Sequence, residues 1–430
     1  MDIRNSILRK QKVAALHQHL IDQMKSKGHI TSRSVEAAFR AVPRHHFLPE
    51  LAVEDVYQDQ AIVTKKARDE RVISSSSQPT MMAIMLEQLQ LQPGQRVLEI
   101  GAGTGYNAAL MAHIVGKRGQ VVTLDIDEDI VESARAHLQA AGYGQVQVIC
   151  ADGFAGYAEA APYDRIILTV NAADIAPAWC EQLKADGRLL LPLSLRGPQV
   201  SVAFEWVEDH LESVSKSFCR FVSLRGALAE EIYTIELQPT PGLLTLSHYG
   251  APAVEAATIG AWLRDSYQEV DTGVEVTVQD LLSSLSLWLA TREPGFCILI
   301  AQGAEAACSS IPMPLHSQSQ VAMSATGGLL DERSLCLLVK DSVGSEKAAE
   351  KGSGEQQPFR LKIRSTGSDP QHSLAQRLKE EIEGWERAGR PDAQRLHIKA
   401  FPKIMPALYY QKVEQELLVS QRWTHFVITW

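Results

Sequence analysis

The sequence predicts an α/β fold: a seven-stranded, mostly parallel sheet with helices on both faces in residues 1–229, then a mixed α+β region, 230–430. Three observations predict it. Apolar runs of strand length alternate with helix-compatible stretches, the pattern of βαβ units. The first run, Arg96–Ile100, enters a loop with glycine at every second position, Gly101, Gly103 and Gly105, and a helix-compatible stretch, Asn107 to Val115, follows. The later runs carry acids at their ends: Asp125 in Gln120–Ile126, Asp152-Gly153 after Val146–Cys150, and Asp164 at the start of Tyr163–Val170. A Rossmann-like arrangement puts such loops and acids on one side of the sheet.

With 430 residues the chain exceeds one average domain, which implies two or more. Apolar residues make up 45% and charged residues 22%, the balance of a water-soluble fold. A net charge of −9 argues against nucleic acid as the main partner. The six cysteines are scattered, with no C-x-x-C pair, which suggests free thiols in a reducing cytoplasm and neither a disulfide frame nor a zinc site. No apolar signal core opens the chain and no run is long enough to span a membrane.

In order, residues 6–27 have the apolar spacing of an amphipathic helix ended by Gly28. Thr31 or Ser32 can cap a second helix, Ser34 to Ala41, closed by Pro43. Arg44-His45-His46 follows; without a matching cysteine or carboxylate, the histidines read as a surface or ion-pair cluster and not as metal ligands. A short strand is expected at Ala61–Val63. Four serines, Ser74 to Ser77, precede Gln78-Pro79. Pro79 suits the first turn of a helix running to Leu89, with Ser77 or a neighbour as its cap. The row can be no more than a generous cap. Its functional reading is a set of hydroxyls and amides aimed at an anionic substrate group.

The glycine loop departs from the dinucleotide pattern, in which the third glycine comes one residue later. Glu99 sits just before the loop, and no Lys or Arg lies in it. That setting disfavours phosphate and suits a ligand with an ammonium group and a sulfonium cation, S-adenosylmethionine. Asp125 then meets ribose hydroxyls. The ordered set of loop and acids points to a class I methyltransferase; a domain for NAD or another nucleotide is the alternative.

The segments VPRHHFLPE (42–50), VYQDQAIV (56–63), ISSSSQPTMMAIMLEQL (73–89), VLEIGAGTGYNAALMA (97–112), ADGFAG (151–156), APYDRIILT (161–169) and GRLLLPL (187–193) occur in one order. Together they resemble the protein-L-isoaspartate O-methyltransferase family over roughly residues 6–195. The resemblance implies Ser77 as the active residue on the substrate side, flanked by Ser76 and Gln78. It implies Glu99, Gly101, Gly103, Gly105, Asp125, Asp152 and Gly153 as cofactor-binding residues, and Pro177 near the substrate mouth. The serine run and the long C-terminal region look like a branch that modifies ribosomally made peptides, in which a methylated aspartate closes to an aspartimide. The expected partner is a protein or peptide bearing an aspartyl or isoaspartyl carboxylate, with no nucleic acid and no membrane; the oligomeric state stays open. A small carboxylic acid as substrate, or a cofactor-binding interaction module, are the rival readings.

In the C-terminal region, Leu243–Ser247, Phe296–Ile300, Arg395–Phe401 and Thr424–Trp430 read as strands, and Val278–Trp288 and Ser373–Ala388 as helices. Asp341–Gln357 is polar and rich in Gly, Ser, Glu and Lys, which suggests a flexible loop. Trp262, Trp288, Trp385, Trp423 and Trp430 read as core or interface. The region is expected to recognise a peptide, and a chain ending after Glu230 to keep cofactor binding.

Overall fold

The computed structural model describes residues 3–68, 71–230, 233–238, 244–248, 254–302, 323–341, 358–368, 373–403 and 417–430. Of the expected loop at 341–357, residues 342–357 lie outside the described residues. The chain forms two compact units. The first comprises Met1–Ser194, Gln199–Glu230 and His397–Thr429.

The first unit opens with α1 (Ile3–Ser26), stopped where Gly28 takes φ +76°, and α2 (Arg33–Ala41). Ser32 caps α2: its hydroxyl accepts the Val35 N–H at 3.2 Å. A short helix, α3 (Val53–Val56), precedes an antiparallel hairpin of β1 (Ile62–Lys66) and β2 (Val72–Ser76). The alternation proper then begins: α4 (Pro79–Leu89), β3 (Arg96–Ile100), α5 (Tyr106–Val115), β4 (Gln120–Asp125), α6 (Glu128–Ala140), β5 (Gln147–Cys150), β6 (Tyr163–Leu168), α7 (Pro177–Gln182) and β7 (Leu183–Ser194). Strands β3 to β7 are parallel in the order β7-β6-β3-β4-β5, and β8 (Gln199–Val207) and β9 (His210–Cys219) continue as antiparallel neighbours of β7.

The parallel strands are buried on both faces, as βαβ crossovers require. Val97, Val121, Val148, Ile167 and Leu190 share one core with residues of α1, α2, α4, α5 and α6. The alternate residues Leu98, Val122, Ile166 and Leu189 are equally buried. Asp164, expected among the acids of the site, instead accepts the Arg96 N–H at 2.7 Å and Lys184 Nζ at 2.6 Å, and so pins the amino ends of β3 and β6.

The second unit contains β10 (Tyr233–Gln238), β11 (Leu244–His248), α8 (Ala256–Arg264), β12 (Gln268–Val276), α9 (Val278–Asp280), α10 (Ser286–Arg292), β13 (Phe296–Gln302), β14 (Met323–Leu330), β15 (Ser334–Lys340), β16 (Phe359–Gly367) and α11 (Ser373–Arg387). A π-helical turn, Leu281–Leu285, joins α9 to α10. The strands form one antiparallel sheet, β10-β11-β13-β14-β15-β16-β12. Trp385 is fully buried and donates its indole N–H to Ser284 Oγ at 2.7 Å; Trp288 donates to Glu381 at 2.8 Å and packs on Trp430 with ring centroids 5.3 Å apart.

The expected boundary at 230 changes here. The chain returns to the first unit as β17 (His397–Pro402), β18 (Leu417–Ser420) and β19 (Thr424–Thr429). These strands extend the sheet through β9, giving ten strands in the order β18-β19-β17-β9-β8-β7-β6-β3-β4-β5, where seven were expected. Ser213 Oγ on β9 accepts the Ile398 N–H at 2.9 Å, and Ile398, Ala400 and Phe426 are buried. A β9 without this partner is an open edge with unpaired main-chain groups. A chain ending after Glu230 should therefore melt at least ~5 °C below the full chain, read by circular dichroism of the α/β transition; an unchanged midpoint would show that the three strands add nothing to the first unit.

Candidate active site

A cavity open to solvent lies at the carboxyl ends of β3, β4 and β6. Strand β2 and the segment Phe221–Arg225 form its remaining walls. In an open α/β sheet this end is where ligands bind.

The glycine loop forms one wall by close approach. Gly101 has φ +103°, and a Cβ there would stand 2.6 Å from Thr169 Oγ1, which donates to the Gly101 carbonyl. Gly103 lines the cavity and donates its N–H to Asp125 Oδ2 at 3.1 Å. Gly153 also lines it; a Cβ there would strike Ile100 Cγ2 at 2.3 Å. Gly105 does something else: it starts α5 and faces Leu138 of α6, allowing the two helices to approach.

The expected acids separate into two kinds. Asp125 is at the cavity wall; its other oxygen accepts the Asp127 N–H at 3.3 Å, and burial raises its carboxyl above the ordinary range. Glu99 is fully buried behind the wall and does not line the cavity. It accepts Asn107 Nδ2 at 2.8 Å and Thr123 Oγ1 at 2.6 Å, tying β3 to α5 and β4, and burial pushes it up to about 7. Asn107, which sequence reading passed over, is the side chain between Glu99 and the cavity. Asp152 is likewise absent from the wall. Its carboxylate accepts the Phe154 and Ala227 N–H groups, each at 2.9 Å, and so joins the loop after β5 to the 221–229 segment.

The serine row is a strand and not a helix cap. Ser74 and Ser76 are buried, while Ser75 and Ser77 are half-buried, the alternation of a strand with one covered face. Helix α4 begins at Pro79 with Gln78 at the capping position and no side-chain cap of its own. Asp59 serves it from outside: Oδ1 accepts the Thr80 N–H at 2.9 Å, Oδ2 accepts the Thr80 hydroxyl at 2.7 Å, and Gln78 Nε2 donates to the Asp59 carbonyl at 3.1 Å. Gln78 is thereby fixed beside the helix and outside the cavity wall. The carboxylate also occupies the helix start that sequence reading aimed at a substrate anion.

Arg44, which reads in the sequence as one member of a basic cluster, sets the strand in place. Its side chain is wholly buried. It donates to the carbonyls of Val56 (3.0 Å), Gln58, Gln60, Ser76 (3.3 Å) and Ser77 (3.0 Å), and to Ser76 Oγ at 3.3 Å. Ser76 is thus held by the guanidinium, leaving Ser75 and Ser77 as the more open members of the row. A second tie crosses the cavity rim. Asp127 accepts both Arg225 nitrogens, at 3.2 and 2.9 Å, and Lys65 Nζ at 3.0 Å, linking β1, the start of α6 and the 221–225 wall. Pro177 starts α7 and does not line the cavity; α7 instead supports the Gly153 loop through Trp179 Nε1, which donates to the Gly153 carbonyl at 2.8 Å.

Residues 15–229 match the family described as protein-L-isoaspartate(D-aspartate) O-methyltransferase. The chain belongs to this family. It is 41% identical over 198 residues to protein-L-isoaspartate O-methyltransferase 2 of Archaeoglobus fulgidus, covering 45% of this chain and 86% of the relative. The enzyme of Methanopyrus kandleri is 37% identical over 211 residues, covering 49% of this chain and 91% of the relative. A solved structure of a protein-L-isoaspartate O-methyltransferase superposes with TM-score 0.48 at 23% identity, over 89% of this chain and 96% of the other.

As a member of the protein-L-isoaspartate O-methyltransferase family, the chain is an S-adenosylmethionine-dependent methyltransferase. The donor set fits that cofactor. Among the residues of the cavity wall, the one cation, Arg225, is committed to Asp127, so no free charge is offered to a phosphate. Asp125 offers acceptor oxygens suited to ribose hydroxyls, and the glycine cradle admits a ligand against the main chain. Among the described residues no helix is long and apolar enough to cross a membrane. Loss of a charged acceptor typically costs about 1.5–3 kcal/mol. Asp125→Ala should therefore weaken S-adenosylhomocysteine binding ~10-fold or more by calorimetry; wild-type affinity would remove Asp125 from the cofactor site.

Proposed function

We propose that this protein-L-isoaspartate O-methyltransferase homologue methylates an aspartyl or isoaspartyl carboxylate in a protein or peptide, with Ser77 orienting the acceptor oxygen. One observation carries the reading: a strand of serines is held rigidly beside a glycine cradle. S-adenosylmethionine would supply the electrophilic methyl group. A carboxylate is ionised at neutral pH, with an ordinary pKa near ~4, so no general base is required. The protein's work is to hold one oxygen in line at about 3 Å from the methyl carbon and to exclude water. Neutral donors such as the Ser75 and Ser77 hydroxyls can orient the oxygen without the strong ground-state ion pair a lysine would form.

The finer reading is that the acceptor is an aspartate of a ribosomally made precursor peptide. The ester formed there is open to attack by the following main-chain nitrogen on its carbonyl carbon. The C–N bond forms, the amide proton is lost, and methanol leaves to give an aspartimide. The second unit supports this reading as additional folded surface beyond the family match, which ends at residue 229.

Mass spectrometry tests both levels. Incubation with S-adenosylmethionine and matched peptides containing aspartate or isoaspartate should produce a methyl ester on one of them, and a dedicated precursor should go on to lose methanol. Ser77→Ala should lower turnover ~10-fold or more, on the scale of one lost hydrogen bond to a charged oxygen, with S-adenosylhomocysteine affinity unchanged. Full turnover by this variant would remove Ser77 from the acceptor site.

A further inference from the structure

The loop after β6 is held from three directions, all within the first unit. Its start, Thr169 and Val170, lines the cavity. Asn171 then exchanges main-chain bonds with the opposite wall: its N–H donates to the Val222 carbonyl and its carbonyl accepts the Leu224 N–H, each at 2.8 Å. Ala172 bonds to β7 through the Pro192 carbonyl at 3.0 Å and the Ser194 N–H at 2.8 Å. The third tie is to the turn between β18 and β19. Asp174 is 5% exposed, and its carboxylate accepts the Trp423 N–H at 2.7 Å and the Ile175 N–H at 2.8 Å. Thr424 Oγ1 adds a bond to the Ile175 carbonyl at 3.3 Å.

The same turn also reaches the loop that carries Gly153. The Trp423 ring lies against Phe154, with centroids 6.0 Å apart, and Phe154 directly follows the wall residue Gly153. One turn of the C-terminal hairpin therefore braces two of the loops that carry wall residues, the one with Val170 and the one with Gly153. The Lys403 N–H donates to the Trp423 carbonyl at 2.8 Å, which fixes the turn to β17. A buried carboxylate satisfied by main-chain N–H groups specifies geometry, because its loss strands those donors.

We infer that Asp174 is a positioning residue for the methyltransferase cavity and that the β18–β19 turn, which lies outside the family match at 15–229, is a working part of the site. The C-terminal hairpin holds the Asn171–Ala176 loop in the conformation that binds cofactor. The inference rests on the reading of the cavity as the cofactor site.

Full-length Asp174→Asn and Thr424→Val, each checked for native circular dichroism, test it. Calorimetry with S-adenosylhomocysteine and hydrogen exchange are the two readouts. Asp174→Asn cannot accept both N–H groups. It should weaken binding at least tenfold and raise exchange in 171–176 and 417–424, with β3 to β5 as protected as in wild type. Thr424→Val should do the same at about threefold, and serves if Asp174→Asn does not fold. A general loss of stability would raise exchange throughout the sheet without this pattern, and would overturn the inference; so would wild-type affinity in both Asp174→Asn and Thr424→Val. If the wild-type chain binds no S-adenosylhomocysteine, the cofactor reading fails. The exchange pattern still decides whether Asp174 couples the hairpin to the loop.

Discussion

The Arg44 guanidinium is the constraint on which the site depends. A charge taken wholly out of water is costly unless its donors are met, and removing a partner strands the rest. Here Nη1 and Nη2 are met by main-chain carbonyls of two segments, Val56 to Gln60 and Ser76-Ser77, while the buried Nε has no partner among the described residues. The guanidinium spends its hydrogen-bonding capacity on holding the serine strand against the loop that carries Asp59. Asp59 in turn fixes the start of α4. Burial disfavours the charge, lowering the Arg44 pKa from its ordinary value, and its planar fork reaches carbonyls on both segments, a geometry that an ammonium with three donors and no fork does not match.

Around this frame, the site divides its polar groups between wall and support. Asp125, Gly101 and Gly103 meet the cavity. Glu99, Asp152 and Asp127 brace the elements that carry the wall: Glu99 between β3 and α5, Asp152 between the loop after β5 and the 221–229 segment, Asp127 between the hairpin and Arg225. Carboxylates conspicuous in a motif are thus mostly a supporting shell, and rigidity of that shell is what keeps a positioned acceptor oxygen in line.

Much of this was legible in the sequence. The strand, glycine loop and helix at 96–115 are readable because the close approach of Gly101 to Thr169 admits no side chain, and the acid at the end of β4 follows from the topology. Pro79 after the serine row suggests a helix start open to a cap or to a substrate anion; nothing in local sequence reveals that Asp59, about twenty residues earlier, already serves that start. Arg44 was hidden for the same reason, since a basic residue beside two histidines looks solvated until the carbonyls around it are known. The return of β17 to β19 was also illegible. A short alternating strand such as His397–Pro402 carries no information about which sheet it joins, and its partner, β9, lies about 180 residues away.

The most direct measurement of the central claim compares wild type with Arg44→Lys in methyl transfer to a peptide the wild-type chain methylates, with hydrogen exchange of residues 72–78 and S-adenosylhomocysteine affinity recorded on the same samples. The account predicts transfer reduced ~10-fold or more, the cost of lost charge-assisted bonds, with faster exchange at 72–78 and cofactor affinity within about threefold of wild type, because Asp125 and the glycine cradle do not touch Arg44. Wild-type transfer together with wild-type protection of 72–78 would contradict it.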